Sequence, residues 1–311
     1  MQELLDKIKA KKDKIKTLLK TDNNKNEYAK WLKYELAYTS NAIEGNTLTR
    51  KETVRIIEDR ITSSSKPFVY YQEAINHAKA YIYMLELIKN KQNINENELF
   101  QIHKLILSGI DDSNAGIYRN CRVSISGSRV ILPNPLKVPS LMTEFFEWLN
   151  NADKKNPLTA IEAHYRLVKI HPFVDGNGRV ARLLMNYILM KENYCPIIIR
   201  LIDRKRYIDN IEKYQLYDDG NAYTKFMLSA LNRSLKTCIN LLDTDKEDTD
   251  KSELLSISRF AQYVNLPTST IRYWVKTKKI KPIMYTVSGY MQFAKHQREE
   301  VKEILNPSKT D

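Results

Sequence analysis

The sequence predicts a mainly α-helical protein with a small second domain at its C-terminal end. Three observations carry the prediction. Apolar residues recur at helical spacing over most of the chain before residue 243, one stretch near 116–139 breaks that period, and a charged run at 243–252 contains no apolar residue.

Residues 3–20 set Leu4, Leu5, Ile8, Ile15, Leu18 and Leu19 on one side of a helix, with lysines elsewhere. A second helix spans 27–44 and stops near Gly45. In TLTRKETVRIIE, Thr49 and Glu52 have capping-box spacing and open a third. Helical patterns follow at about 69–90, 95–108, 140–150 and 157–170. The break at 116–139 places Val123, Ile125, Val130 and Leu132 on either side of a Ser-Gly-Ser turn, which predicts a β-hairpin over about 121–132. Residues 177–192 are apolar on most sides and predict the buried centre of a helical bundle.

The expected organisation is an N-terminal helical region over 1–100, a core over 101–242, a linker over 243–252 and a second domain over 253–311. That last stretch reads as two short helices with Ser258 and Thr268 as N-caps, then two strands around Ser288-Gly289. Helix, turn, helix and wing is the order of a winged helix-turn-helix. Eleven Lys or Arg against five Asp or Glu from 251 to 311 leave DNA open as its ligand, through Arg272, Lys276, Lys278 and Lys279.

Composition excludes several classes. No apolar run approaches the roughly 20 residues of a membrane span, and the charged N-terminus lacks the apolar core of a signal peptide, so a cytoplasmic location is expected. Cys121, Cys195 and Cys238 show no metal or disulfide spacing. A net charge of +13 suits nucleic acid, nucleotide phosphates or an acidic protein, and equally a solvated lysine-rich surface.

The chemistry concentrates in IHPFVDGNGRVAR, residues 170–182. Pro172 ends the preceding helix and leaves His171 at a loop mouth, where imidazole accepts a proton near neutral pH. Phe173 is the apolar anchor of the loop. Asp175-Gly176-Asn177-Gly178 leads straight into an apolar helix, whose first N–H groups and dipole form an anion site. Arg179 and Arg182, three apart, are placed to reach one anion. Asp175 beside phosphates suits Mg2+, which takes one or two carboxylates and fills the rest with phosphate and water. Metal, cradle, arginines and base are the parts of a phosphoryl-type transfer.

HPFVDGNGRVAR matches at every position the signature H-x-F-x-[D/E]-G-N-G-R-x-x-R, and over roughly residues 30–230 the chain resembles the Fic (filamentation-induced-by-cAMP) domain family. The resemblance implies a Fic-type helical bundle and transfer of AMP from ATP to a Ser, Thr or Tyr hydroxyl of a target protein. It makes His171 the base, Asp175 the Mg2+ ligand, Gly176, Asn177 and Gly178 the anion hole, and Arg179 and Arg182 the phosphate arginines. The hairpin at 121–132 becomes a flap aligning the target by strand addition, and Tyr207 and Ile208 are the candidates for holding the base. SNAIEGN, residues 40–46, is similar to the family's inhibitory pattern [S/T]-x-x-x-E-[G/N] through Ser40, Glu44 and Gly45. Glu44 would then pair with Arg182 where the γ-phosphate must sit. Removal of AMP from a modified protein, and a nucleotide-sensing DNA-binding regulator, stay open as alternatives, as do self-modification and a homo-oligomer.

Other residues read as structure. His164 lacks a third metal ligand. Trp31, Tyr34 and Tyr38, and Tyr70, Tyr71, Tyr81 and Tyr83, recur at packing spacing. Cys121 and Cys195 are expected to be buried small hydrophobes.

Overall fold

The computed structural model describes residues 1–19, 22–62, 65–242, 254–285 and 291–305. The chain divides into two compact units, residues 1–242 and 243–311, and the expected linker at 243–252 lies outside the described residues. Among the described residues no helix is long and apolar enough to cross a membrane.

The first unit is helical: α1 (Gln2–Leu18), α2 (Asp22–Ile43), α3 (Arg50–Asp59), α4 (Phe68–Lys89), α5 (Glu96–Leu107), α6 (Val138–Asn151), α7 (Pro157–Ile170), α8 (Asn177–Lys191), α9 (Arg204–Tyr217) and α10 (Asn221–Leu242). Thr49 caps α3 in a full capping box with Glu52, and Asn95 does the same for α5 with Glu98. Helix α8 buries Val180, Leu183, Leu184, Tyr187 and Ile188 on several of its faces at once, which only a surrounded helix can do. It packs on α7, α4, α5 and α2, while α1 lies along α10. His164 sits inside this core, with Nδ1 at 2.7 Å from the Tyr223 hydroxyl and Nε2 at 2.7 Å from the Tyr207 hydroxyl.

Two expectations change here. The segment 121–132 is not a β-hairpin: Ser128 N donates to Ile125 O (3.1 Å) across the turn, and no strand ladder joins the two arms. Side chains hold backbone groups at both ends of the segment. Arg119 binds the carbonyls of Cys121 (3.1 Å) and Pro133 (2.7 Å) at its base, and Glu212 takes the Arg129 N–H (3.0 Å) at its tip. Cys121, on this arm, is exposed because no core lies behind it; Cys195 and Cys238 are buried, and the Tyr28 hydroxyl reaches both sulfurs.

The second unit contains β1 (Leu254–Ser256), α11 (Ile257–Tyr263), α12 (Thr268–Lys276), β2 (Met284–Tyr285), β3 (Met291–Ala294) and α13 (Arg298–Leu305). The strands form one antiparallel sheet in the order β1-β3-β2, with Leu255 opposite Phe293 and Met284 opposite Gln292. Phe260 stacks on Phe293 at 4.7 Å over a small core with Ile271, Trp274, Ile280 and Val301. Ser256 rather than Ser258 caps α11, because Ser256 closes β1 in an extended conformation and its hydroxyl accepts from Arg259 N. Thr268 is the first residue of α12, and Pro267 occupies the N-cap, where its missing N–H costs nothing. The turn at Ser288-Gly289 lies outside the described residues.

Candidate active site

Helix α7 ends at Ile170, and His171 follows with φ 53°, a left-handed conformation that a side-chain-bearing residue takes only when its surroundings enforce it. Pro172 disfavours the right-handed helical conformation at His171, and Arg119 donates from Nε to the His171 carbonyl at 2.8 Å. The imidazole Nδ1 faces Val168 O at 3.3 Å; an Nδ1–H donated there leaves Nε2 as the acceptor. Burial holds the His171 pKa below the ordinary histidine value, with Arg119 acting in the same direction, so the ring is neutral at neutral pH.

The loop that follows is closed by a side chain. Asn177 Oδ1 accepts from Phe173 N and its Nδ2 donates to Phe173 O, both at 2.9 Å. Asn177 is therefore a clasp on the loop. Phe173 is fully buried and stacks on His103 at 3.7 Å. Gly176 forms the N-cap of α8 with φ +78°, and no side chain caps the helix. The first-turn N–H groups of α8 thus face the loop mouth as an anion cradle.

An anion already sits there. Glu44 follows the last residue of α2, and its Oε1 accepts from Arg182 Nη2 at 2.7 Å. A methyl group added at Gly178 would lie 2.5 Å from that same oxygen, so a side chain there would push the carboxylate from its present position. Arg182 is 7% exposed and also binds Ser40, through Nε to the hydroxyl (3.0 Å) and Nη2 to the carbonyl (2.9 Å). Burial works against its charge, and the Glu44 carboxylate together with Tyr207 more than compensates, raising its pKa. Gly45, at φ +102°, turns the chain away after the carboxylate.

The two arginines do not converge as the spacing suggested. Arg179 is 4% exposed and donates to Asp175 Oδ2 (2.8 Å) and Glu73 Oε1 (3.0 Å), so it braces the loop while Arg182 faces the cradle. Asp175 is 64% exposed. A cavity of about 290 Å3 opens beside the cradle, lined by Glu44, His171, Gly178 and Arg182 on one side and by Ile208, Ile211 and Val168 on the other. Tyr207 also lines it, and its hydroxyl meets His164 Nε2 and interacts with the Arg182 guanidinium. Ile208 presents apolar surface, which suits a nucleobase face.

Sequence reading missed five residues that hold this geometry. Arg119 ties the His171 carbonyl to both ends of the 121–133 segment. His103 donates from Nε2 to Asp175 O (3.0 Å) while Nδ1 accepts from Gly116 N (2.9 Å); burial pushes its pKa to about 4 and keeps this one tautomer. Glu73 joins Arg179 to Asn46, which follows the Glu44 turn. Arg204 caps α2 by donating to Ile43 O at 2.6 Å. Glu212 latches the tip of the 121–132 segment through Ser128 Oγ and Arg129 N. Arg119 alone had a local cue, lying between Tyr118 and the irregular stretch; the others act across tens of residues.

Residues 93–189 match the Fic/DOC family. Protein adenylyltransferase Fic of Nematostella vectensis is 34% identical over 238 residues, 75% of this chain and 55% of that protein. The protein of the same name from Drosophila melanogaster is 33% identical over 234 residues, 74% of this chain and 47% of its own. The chain spans about half the length of these relatives. Among solved structures, a Fic domain containing signaling protein from Bacteroides thetaiotaomicron superposes with a TM-score of 0.69 at 26% identity, covering 76% of this chain and 98% of that one. Fic-1 of C. elegans gives 0.71 at 25% identity, covering 78% and 73%.

Proposed function

The chain belongs to the Fic/DOC family, and from that premise we propose that it is a protein adenylyltransferase held in an inhibited state by Glu44. The observation that carries the reading is the Glu44 carboxylate lying between Arg182 and Gly178, in a cradle built for an anion. In the reaction, a target hydroxyl gives its proton to His171 Nε2 and its oxygen attacks the α-phosphorus of ATP. The bond from that phosphorus to the α,β-bridging oxygen breaks, and pyrophosphate leaves. The N–H groups of α8 receive the phosphate charge, Arg182 takes the terminal phosphate once Glu44 is displaced, and Ile208 and Ile211 flank the base.

Mg2+ fits this donor set. Asp175 offers one exposed carboxylate beside the cradle, and a magnesium ion needs no more from the protein when phosphates complete its shell. Asp175 would hold it, and the ion would neutralise phosphate oxygens. Arg179 and His103 position that carboxylate. The open arms of the 121–132 segment offer unpaired backbone to an extended target strand, as family resemblance implies.

Glu44 shares the cavity with His171, and this favours one second reading, hydrolytic removal of AMP with Glu44 orienting a water. Intact mass measurement separates the two. After incubation with ATP and Mg2+, Glu44→Gly gains AMP on itself or on a lysate protein if the transfer reading holds. Loss of AMP from a modified protein by the wild type, with no gain by the variant, would replace it with the second.

We also infer that residues 254–305 are a winged-helix module. Two helices joined by a short turn, followed by the antiparallel β2–β3 pair, support this.

A further inference from the structure

We propose that the second unit binds duplex DNA through the exposed face of α12, an activity independent of the transfer chemistry. Helix α12 has two faces of opposite character. Ile271 and Trp274 point into the small core, while Ser269, Arg272, Tyr273 and Lys276 are exposed at i, i+3, i+4 and i+7 and form one continuous outer stripe. That stripe contains no aliphatic residue. It carries two cations, an aromatic hydroxyl and a serine, the side-chain types that contact phosphates and base edges.

Charge around the helix selects the partner. From residue 254 to 298 the sequence holds eight Lys or Arg and not one Asp or Glu, in a chain that has 37 acidic residues. Six of those cations, Arg259, Arg272, Lys276, Lys278, Lys279 and Lys281, belong to α11, α12 and the turn after α12. Among the described residues of this unit, the acids Glu299, Glu300 and Glu303 are confined to α13. A solvated protein surface mixes both signs; a single-signed stretch on a helix-turn-helix is the footprint of a polyanion.

Geometry favours duplex DNA over other polyanions. Helix α12, about 10–12 Å across with its side chains, fits a major groove about 12 Å wide, and α11 precedes it across a turn as the helix that crosses the backbone. Lys278 and Lys279 leave the C-terminal end of α12 and are placed for phosphates. A membrane-surface helix would need an apolar outer stripe, which α12 lacks.

The test is fluorescence anisotropy with the full chain and a labelled random 30-base-pair duplex, in a salt series from about 50 to 200 mM. Arg272→Ala/Lys276→Ala changes two exposed side chains, and its thermal melt checks that the unit remains folded. Lys9→Ala/Lys79→Ala removes the same net charge from exposed positions of the first unit. The expected result is binding that weakens with salt, roughly tenfold weaker in the α12 variant, with its salt slope reduced by about 1.8 and the Lys9/Lys79 variant unchanged. Equal weakening in both variants would overturn the α12 assignment in favour of diffuse charge. Absence of duplex binding at the lowest salt, or binding to vesicles containing phosphatidylserine in place of the duplex, would overturn the proposal itself.

Discussion

Replacing Glu44 by glycine acts with opposite signs on the empty protein and on its complex with ATP. Arg182 is almost fully buried and meets Glu44 Oε1 at 2.7 Å. A hydrogen bond between charged groups contributes about 1.5–3 kcal/mol. Glu44 is 38% exposed, and solvent screening reduces this to about 1–2 kcal/mol. Glu44 lies just beyond α2, so glycine there carries no helix-interior cost. In Glu44→Gly, Arg182 keeps Ser40 but loses its counter-charge, and the unliganded protein melts roughly 2–8 °C lower. ATP no longer has to displace a carboxylate, so the same free energy returns as affinity, roughly 5- to 30-fold. The assay is paired calorimetric titration and thermal melting of His171→Ala and Glu44→Gly/His171→Ala, the shared alanine preventing turnover. Affinity that stays level or falls together with stability would refute the competition between Glu44 and phosphate.

Other consequences concern the residues that support the site. Arg119→Ala frees the His171 carbonyl and the base of the 121–133 segment, so in the Glu44→Gly background kcat for transfer drops about tenfold or more while ATP affinity holds; steady-state kinetics with titration calorimetry checks this. Because burial depresses the His171 pKa, the acid limb of kcat/KM for Glu44→Gly lies below about 6.5 rather than at it, as a pH–rate profile will register. Burial likewise holds His77 and His164 near pKa values of about 3. Their folded values lie below the unfolded value near 6.5, so their contribution to stability is complete above about pH 6.5 and is lost as pH falls toward 3. Each contributes a slope of up to about 1.4 kcal/mol per pH unit, and urea unfolding at pH 7 and pH 5 should differ by about 4 kcal/mol from these two groups. Glu73→Gln leaves Arg179 with one carboxylate partner and lowers the melting temperature by several degrees, read by calorimetry.

What the sequence could convey about this site divides by distance along the chain. The 170–182 motif is local, and its glycines, proline and apolar flank specify loop, cap and helix at once. The meeting of Glu44 with Arg182 was readable only through resemblance, since 138 residues separate them and no periodicity links them. Arg179 shows the limit of spacing arguments: three residues from Arg182, it turns to Asp175 and Glu73 because Glu73 arrives from α4, which the motif cannot announce. The alternating apolar residues at 123–132 carry strand propensity, yet Arg119 and Glu212 hold the backbone groups at the ends of the segment, and tertiary contacts override the local pattern. Cys121 was misplaced for the same reason, since burial belongs to the arm it sits on rather than to its type.

The central claim is tested most directly with ATP labelled at the α-phosphate and supplied with Mg2+. Wild type, Glu44→Gly and Glu44→Gly/His171→Ala are compared for label on protein, in lysate and on themselves. The account predicts strong labelling by Glu44→Gly alone, with the wild type held shut at residue 44 and the double variant lacking its base. Equal labelling by all three, or none by any, would contradict it.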